Sequence, residues 1–384
     1  VQIKEGADNA FLSACIHVIL NEYHHERKAE YFHSYVKRYT NMPFLVMLDE
    51  EDGYYTNGRF LRASDFAQFE GEEYDEWKPV QVDNDSGDMK IPTGTLGHRW
   101  ETENTGRWNL THEDALTGEE YDPLLSLLDK KGSKEVMVGF PDFTHTYDKL
   151  GETKNTGNKA INSIRGVPAR EVKTKNGKVL FTTVFDLMMG QYGVGRGLSG
   201  DYPEDYDDAD APFTPAWQEQ ETGVSRDLAI RVAREWADNA EATKGKSLFI
   251  TGSGILHWYH GGTLTYRAEA VMGIICGCQG NNGGGFAHYV GTEKIRNYAA
   301  VGFLAGATDW YRPSRHTNST SWQYFHTDQW RYDGMPLTPL WSPDAKTLPK
   351  HGNHAADINH LAVRNGWLPF HPEFDKKNPI DVYQ

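Results

Sequence analysis

The tightest constraint in this 384-residue sequence is a strand-like run that breaks off into glycine. Ser247-Leu-Phe-Ile-Thr251 leads into Gly252-Ser253-Gly254 and then Ile255-Leu-His257-Trp-Tyr-His260. Glycines directly after a strand let the backbone approach a ligand closely, and successive free N–H groups form an anion nest. An apolar helical pattern over residues 266–278 follows, and then Gly280-Asn-Asn-Gly283-Gly284-Gly285. Three adjacent glycines permit positive φ and leave room for something flat or bulky against the backbone. Gly-x-Gly alone is a weak signal, and the third glycine of the dinucleotide fingerprint is absent. A tight structural turn and a flexible loop therefore stay open beside the two ligand-cradling readings.

Elsewhere the chain reads as alternating strands and helices. After Asp8, the residues Phe11, Leu12, Cys15, Ile16, Ile19 and Leu20 recur at helical spacing. A second helix is expected over residues 26–39 and, after Pro43, a strand over 44–48. Residues 52–176 change texture. Turn-rich stretches such as Asp83-Asn84-Asp85-Ser86-Gly87 separate short apolar runs, one over 135–140, with Trp77, Trp100 and Trp108 as packing aromatics. An irregular, partly β insertion is the expectation there. A strand returns over 178–185, and the acidic loop over 201–210 reads as solvated. Ser225 is expected to cap an amphipathic helix with Leu228, Val232, Ala233 and Trp236 along one stripe. Glycine turns at the strand ends make this an α/β fold, which gathers ligands at the carboxyl ends of its strands.

Composition narrows the function. A formal charge of −15 argues against phosphate-backbone binding, so no nucleic-acid partner is expected. No apolar run approaches the roughly 18 residues that span a bilayer. Cys15, Cys276 and Cys278 are too few for a disulfide framework and lack the partners of a zinc or iron–sulfur site. His257 with His260, and His351 with His354, have no third metal ligand at suitable spacing. No serine sits in a nucleophile-elbow context.

Taken together, Thr251-Gly252-Ser253-Gly254, Gly277-Cys278-Gln279-Gly280, Gly283-Gly284-Gly285 and Tyr289-Val290-Gly291-Thr292-Glu293-Lys294 resemble the pterin-cradling signature of the dimethyl sulfoxide reductase superfamily. His257-Trp258-Tyr259-His260, Ala287-His288-Tyr289-Val290-Gly291, Asn318-Ser319-Thr320-Ser321, Trp330-Arg331-Tyr332, Gly366-Trp367-Leu368-Pro369 and Thr214-Pro215-Ala216-Trp217 match the branch that holds the catalytic (alpha) subunits of respiratory nitrate reductase and nitrite oxidoreductase. The resemblance runs in order from Val1 to Pro369.

The resemblance implies a partial molybdopterin oxidoreductase fold. Residues 1–50 would begin the α/β domain that binds molybdopterin guanine dinucleotide, and residues 51–176 would form the insertion. Residues 177–295 would return to the cofactor domain, and 296–384 would belong to the neighbouring α/β domain. The implied cofactor is molybdenum held by two molybdopterin guanine dinucleotides. A [4Fe-4S] motif and the metal's aspartate ligand would lie before Val1, so the chain reads as an internal fragment, inactive alone. His257 and Val290 would stand near the metal pocket. Gly6, Asp8, Gly252, Ser253, Gly254, Ile255, His257, Gly283, Gly284, Gly285, His288 and Gly291 would hold the cofactor, with Asp8 accepting the N–H donors of a guanine base.

The reaction implied is reduction of nitrate to nitrite by oxygen-atom transfer, with nitrite oxidoreductase as the reverse alternative. A non-catalytic cofactor-binding or assembly module is the alternative of another class. Implied partners are an iron–sulfur beta subunit and a membrane haem gamma subunit, in a complex placed on the cytoplasmic membrane face ahead of the extracytoplasmic one. Ala7, Leu256 and Ile295 depart from the family pattern, and those departures touch details of cofactor contact.

Overall fold

In the computed structural model, which describes residues 2–93, 111–141, 161–252 and 262–288, the apolar run after Asp8 is α1 (Asp8–Ile19). Gly6 turns the chain into it at φ 80°, a left-handed backbone that favours glycine. Asp8 sits in the first turn, where a carboxylate suits the helix dipole. Every residue from Leu12 to Ile19 is buried, as expected of a helix apolar on most of its faces. Leu20–Glu26 continue as a π-helix, which carries Tyr23 and His24 inward.

The helix expected over 26–39 is shorter. Lys28 takes φ 48°, which interrupts helical backbone, and α2 covers Glu30–Tyr39. Next, β1 (Leu45–Glu51) turns through Asp52-Gly53 into β2 (Tyr54–Phe60), with Glu51 opposite Tyr54. Asp-Gly suits such a two-residue hairpin turn, and Gly53 has φ 91°.

Short pieces follow: β3 (Gln81–Val82), β4 (Met89–Lys90), β5 (Pro92–Thr93) and β6 (Thr111–Asp114). Then come three long strands, β7 (Ser133–Pro141), β8 (Ile161–Thr174) and β9 (Gly177–Thr183). Strands β1, β2, β7, β8 and β9 close into a barrel, β2 meeting β7 in parallel at Tyr55 and Val138. Its entry and exit strands are neighbours: Leu45 pairs with Thr183. Leu48, Val136, Val138, Phe140, Val167 and Ala169 form one apolar cluster of this region, while Leu45, Leu61, Phe66, Phe69, Ile91 and Phe181 belong to another. Trp77 is buried there, while Trp100 and Trp108 lie outside the described residues.

The strand expected over 178–185 ends at Thr183, whose hydroxyl oxygen accepts from the Asp186 N–H at 3.0 Å and so starts α3 (Val184–Gln191). Asp186 is buried in a charge pair with Arg196 Nη1 at 2.7 Å. Ser126 Oγ at 2.6 Å and the Leu127 N–H at 2.8 Å also donate to Asp186. This cluster ties the barrel exit to the segment before β7.

After the acidic loop, Thr214 caps α4 (Pro215–Thr222), and α5 covers Arg226–Thr243. Ser225 stands at the expected N-cap position, but its side chain makes no capping bond. The buried stripe of α5 is Ala229, Ala233, Ala237 and Ala240; Val232 and Trp236 only flank it. Small side chains let α5 lie close on α1, and the larger residues pack around the seam. The chain then forms β10 (Leu248–Thr251), α6 (Gly262–Ile275) and β11 (Gly285–His288). The helix expected to reach 278 ends earlier, and Gly277 follows it at φ 66°. All described residues belong to one unit, Val1–Thr93 with Asn109–Tyr289; the second, Gly94–Trp108 with Val290–Gln384, lies outside them. No described helix is long and apolar enough to cross a membrane.

Two histidines make this core sensitive to acid. His17 Nδ1 lies 2.6 Å from the Tyr192 carbonyl, and His24 Nε2 lies 2.9 Å from that of Ile275. Burial lowers His17 to about 4, and burial together with His33 beside it lowers His24 to about 3. An unfolded chain protonates both near 6.5. Stability from their neutral burial is therefore complete above pH 6.5 and falls as pH drops towards 4, at about 1.4 kcal/mol per pH unit for each. Urea unfolding at pH 7, 6 and 5 should show a falling midpoint, and His17→Gln with His24→Gln should flatten that fall. An unchanged midpoint in the parent chain would reject it.

Candidate functional site at the carboxyl ends of a parallel strand pair

β10 and β11 run parallel with Leu248 opposite Gly285 and Thr251 opposite His288. Both strands therefore end at the same edge, with α6 as the connecting helix. Phe249 stacks on Trp236 of α5 with ring centroids 4.1 Å apart. That contact fixes β10 on the helical layer.

Gly252 follows the buried Thr251 and is exposed, and among the described residues no atom lies within 4 Å of where a side chain would start. Thr251 Oγ1 donates to Glu269 on α6 at 2.7 Å. Burial raises the Glu269 carboxyl above the usual carboxylate range, and the charge of Asp8 adds to that rise. Burial likewise raises Asp8. The amino end of α1 and the carboxyl end of β10 thus bring two carboxyl groups into one neighbourhood. Such a pair disfavours phosphate and favours a group that presents N–H donors. Thr251 belongs to the strand-end signature read from sequence, whereas Glu269 was not anticipated; its signal was a carboxylate in a mostly apolar helical run.

The glycine loop is held from outside. Tyr31 Oη donates to the Gly277 carbonyl and Tyr35 Oη to the Gln279 carbonyl, both at 2.7 Å. Asn281 Nδ2 donates to the same Gly277 carbonyl at 2.9 Å. The three glycines serve different needs. Gly283 and Gly285 hold φ 86° and 91°. A side chain on Gly284 would start 1.8 Å from the Gly245 carbonyl oxygen, so its room is filled by another turn of this chain.

Of the expected site residues, Gly6, Asp8, Gly252, Gly283, Gly284 and Gly285 are described, and His288 is placed by its backbone. Ser253, Gly254, Ile255, His257, Val290 and Gly291 lie outside the described residues, as do both spaced histidine pairs. Among the described residues, no group of three or more His, Cys, Asp or Glu could hold a metal ion. Cys15 and Cys278 are pushed up by burial to about 12 and about 11, and Cys276 rises well above the usual thiol value. Their thiols are correspondingly unreactive.

No protein-family model matches the chain. Among curated proteins, it is 45% identical over 388 residues to respiratory nitrate reductase 1 alpha chain of Escherichia coli K12, covering 99% of this chain and 30% of that one. It is 42% identical over 384 residues to nitrate reductase alpha chain of Bacillus subtilis 168, covering 100% and 30%. The nitrate reductase alpha subunit of Mycobacterium tuberculosis H37Rv is 40% identical over 387 residues, covering 100% and 29%. Along its whole length the chain is a homologue of a molybdopterin oxidoreductase subunit. The particular family is that of nitrate reductase alpha chains, and the chain corresponds to a segment of one. It spans about 30% of the length of these relatives.

The glycines can be separated by substitution. Gly284→Ala should destabilise the chain by about 3 kcal/mol or more, because backbone must move. Gly283→Ala faces open space and should lose only about 1–2 kcal/mol through its φ. Gly252→Ala should change stability by less than about 0.5 kcal/mol. Denaturant midpoints of the three variants check this order, and a Gly252 variant as unstable as the Gly284 variant would contradict it.

Proposed function

We propose that this chain is part of the catalytic subunit of a respiratory nitrate reductase and carries one face of its cofactor site. The observation that carries the reading is 40–45% identity along the whole chain to nitrate reductase alpha chains from three bacteria. The proposed cofactor is molybdenum with two molybdopterin guanine dinucleotides, in a dimethyl sulfoxide reductase-like fold. When bound, it supplies the oxygen-atom transfer that turns nitrate into nitrite. The metal's protein ligand and a [4Fe-4S] cluster are assigned to parts of the subunit outside these residues, so the 384 residues alone should not turn over nitrate. A beta subunit with iron–sulfur clusters and a membrane haem gamma subunit are the proposed electron partners, at the cytoplasmic membrane face.

The described residues fit such a group. Among the described residues, nothing fills the space beside Gly252 at the strand end, where a flat ligand can lie against the backbone. The Asp8 carboxyl is partly buried at the amino end of α1, as a pocket for guanine N–H donors requires. Glu269 reinforces the acceptor character of that corner. His257 and Val290 are proposed to line the metal pocket, with His257 drawing in the anion or delivering a proton to the departing oxygen.

In the full-length subunit, Asp8→Asn should reduce bound guanine nucleotide and molybdenum while leaving the unfolding midpoint nearly unchanged. Losing a charged hydrogen-bond acceptor weakens such a contact by about 1.5–3 kcal/mol. Full cofactor content, measured by metal analysis and nucleotide release, would reduce Asp8 to a helix-end carboxylate. His257→Ala should instead keep molybdenum and lower nitrate turnover per metal, with an altered pH profile between about 5 and 8. Unchanged turnover per molybdenum across that range would remove His257 from the reaction.

A further inference from the structure

The corner at the carboxyl end of β10 holds two acids without a base. Asp8 stands in the first turn of α1 and Glu269 on α6, and burial raises both carboxyls. The charge of Asp8 also acts on Glu269, so the two lie close enough to repel. Elsewhere the structure compensates its buried acids: Asp65 pairs with Arg59, Asp114 with Lys90 and Asp186 with Arg196. Among the described residues no cation pairs with Asp8 or Glu269. Thr251 Oγ1 donates to Oε2 of Glu269 at 2.7 Å, while Oε1 has no hydrogen-bond partner among those residues.

An acidic pair is not a site on its own, but a ligand is indicated independently. The whole chain is 40–45% identical to nitrate reductase alpha chains, and the cofactor proposed above carries guanine. The inference rests on that reading. The Watson–Crick edge of guanine offers N1–H and both hydrogens of the 2-amino group. One carboxylate, here Asp8, can take N1–H and the nearer amino hydrogen side by side. The outer amino hydrogen then needs a second acceptor, because a buried donor left unpaired is costly. We propose that Glu269 Oε1 accepts this outer hydrogen and so selects guanine over a purine without the 2-amino group. Thr251 positions the carboxyl by holding Oε2. None of the motifs that carry the family resemblance contains Glu269, so the role is a property of this chain's own corner.

The test uses the full-length subunit produced without its cofactor, with guanosine and inosine monophosphates as probes. Inosine monophosphate keeps N1–H and lacks the 2-amino group. By equilibrium dialysis the parent should bind the guanosine nucleotide about tenfold more tightly, since a site built for an N–H group rejects the analogue without it. Glu269→Leu should weaken the guanosine nucleotide to the inosine level and leave the inosine nucleotide unchanged. Glu269→Ala, which cannot crowd the pocket, should do the same. Asp8→Asn should weaken both nucleotides. Glu269 variants that keep the preference, or that weaken both nucleotides equally, overturn the inference and leave the cofactor reading standing. A parent chain that binds neither nucleotide overturns both.

Discussion

Burial of α1 is the constraint on which the described structure depends. Its residues from Leu12 to Ile19 are all buried, including Ser13 and His17. A helix so apolar cannot present a solvated face, so it must be surrounded. The surrounding elements come from distant parts of the sequence. Ala229, Ala233, Ala237 and Ala240 of α5 are buried in the helical layer, as are Ala268, Met272 and Ile275 of α6. Cys15 Sγ donates to the Ala229 carbonyl at 3.8 Å, and Tyr23 Oη donates to Asp238 at 2.6 Å. The first thirty or so residues thus depend on helices more than two hundred positions onward, and neither part has a core without the other.

That dependence also builds the candidate site. Asp8 is the first residue of α1, and Glu269 lies on α6, which packs against it. Covering the apolar helix therefore brings the acidic amino end of α1 to the carboxyl end of β10. Packing decides where the carboxyl groups stand. Their shared environment decides their character, since burial raises both and Asp8 acts on Glu269.

Much of this was legible from sequence where the signal is local. Periodicity after Asp8 and after Ser225 located α1 and α5, and the glycine break after Thr251 located the strand end. What stayed hidden depends on partners far away. The stripe of α5 was read from its large residues, whereas close approach to α1 selects the alanines. The π-helix at Leu20–Glu26 has an ordinary helical composition, so nothing in residue type announces it. Closure of the barrel rests on Tyr55 meeting Val138, a pairing no local pattern specifies. Gly284 reads as space held open for a ligand, yet the carbonyl of Gly245 occupies that space. The corner formed by Thr251, Glu269 and Asp8 required knowing that α6 folds back beside α1.

The barrel carries a consequence for the history of such chains. Because Leu45 lies opposite Thr183, the polypeptide leaves the helical layer and returns to it at adjacent points. Its five main strands close on one another, so among the described residues the barrel itself leaves no open strand edge. An ancestral chain could have acquired it by insertion at one point, between α2 and α3, without re-routing the helices. Loops within it can lengthen or shorten at small entropic penalty. Length variation among descendants should accordingly collect inside this module, while the spacing from β10 to β11 stays nearly constant.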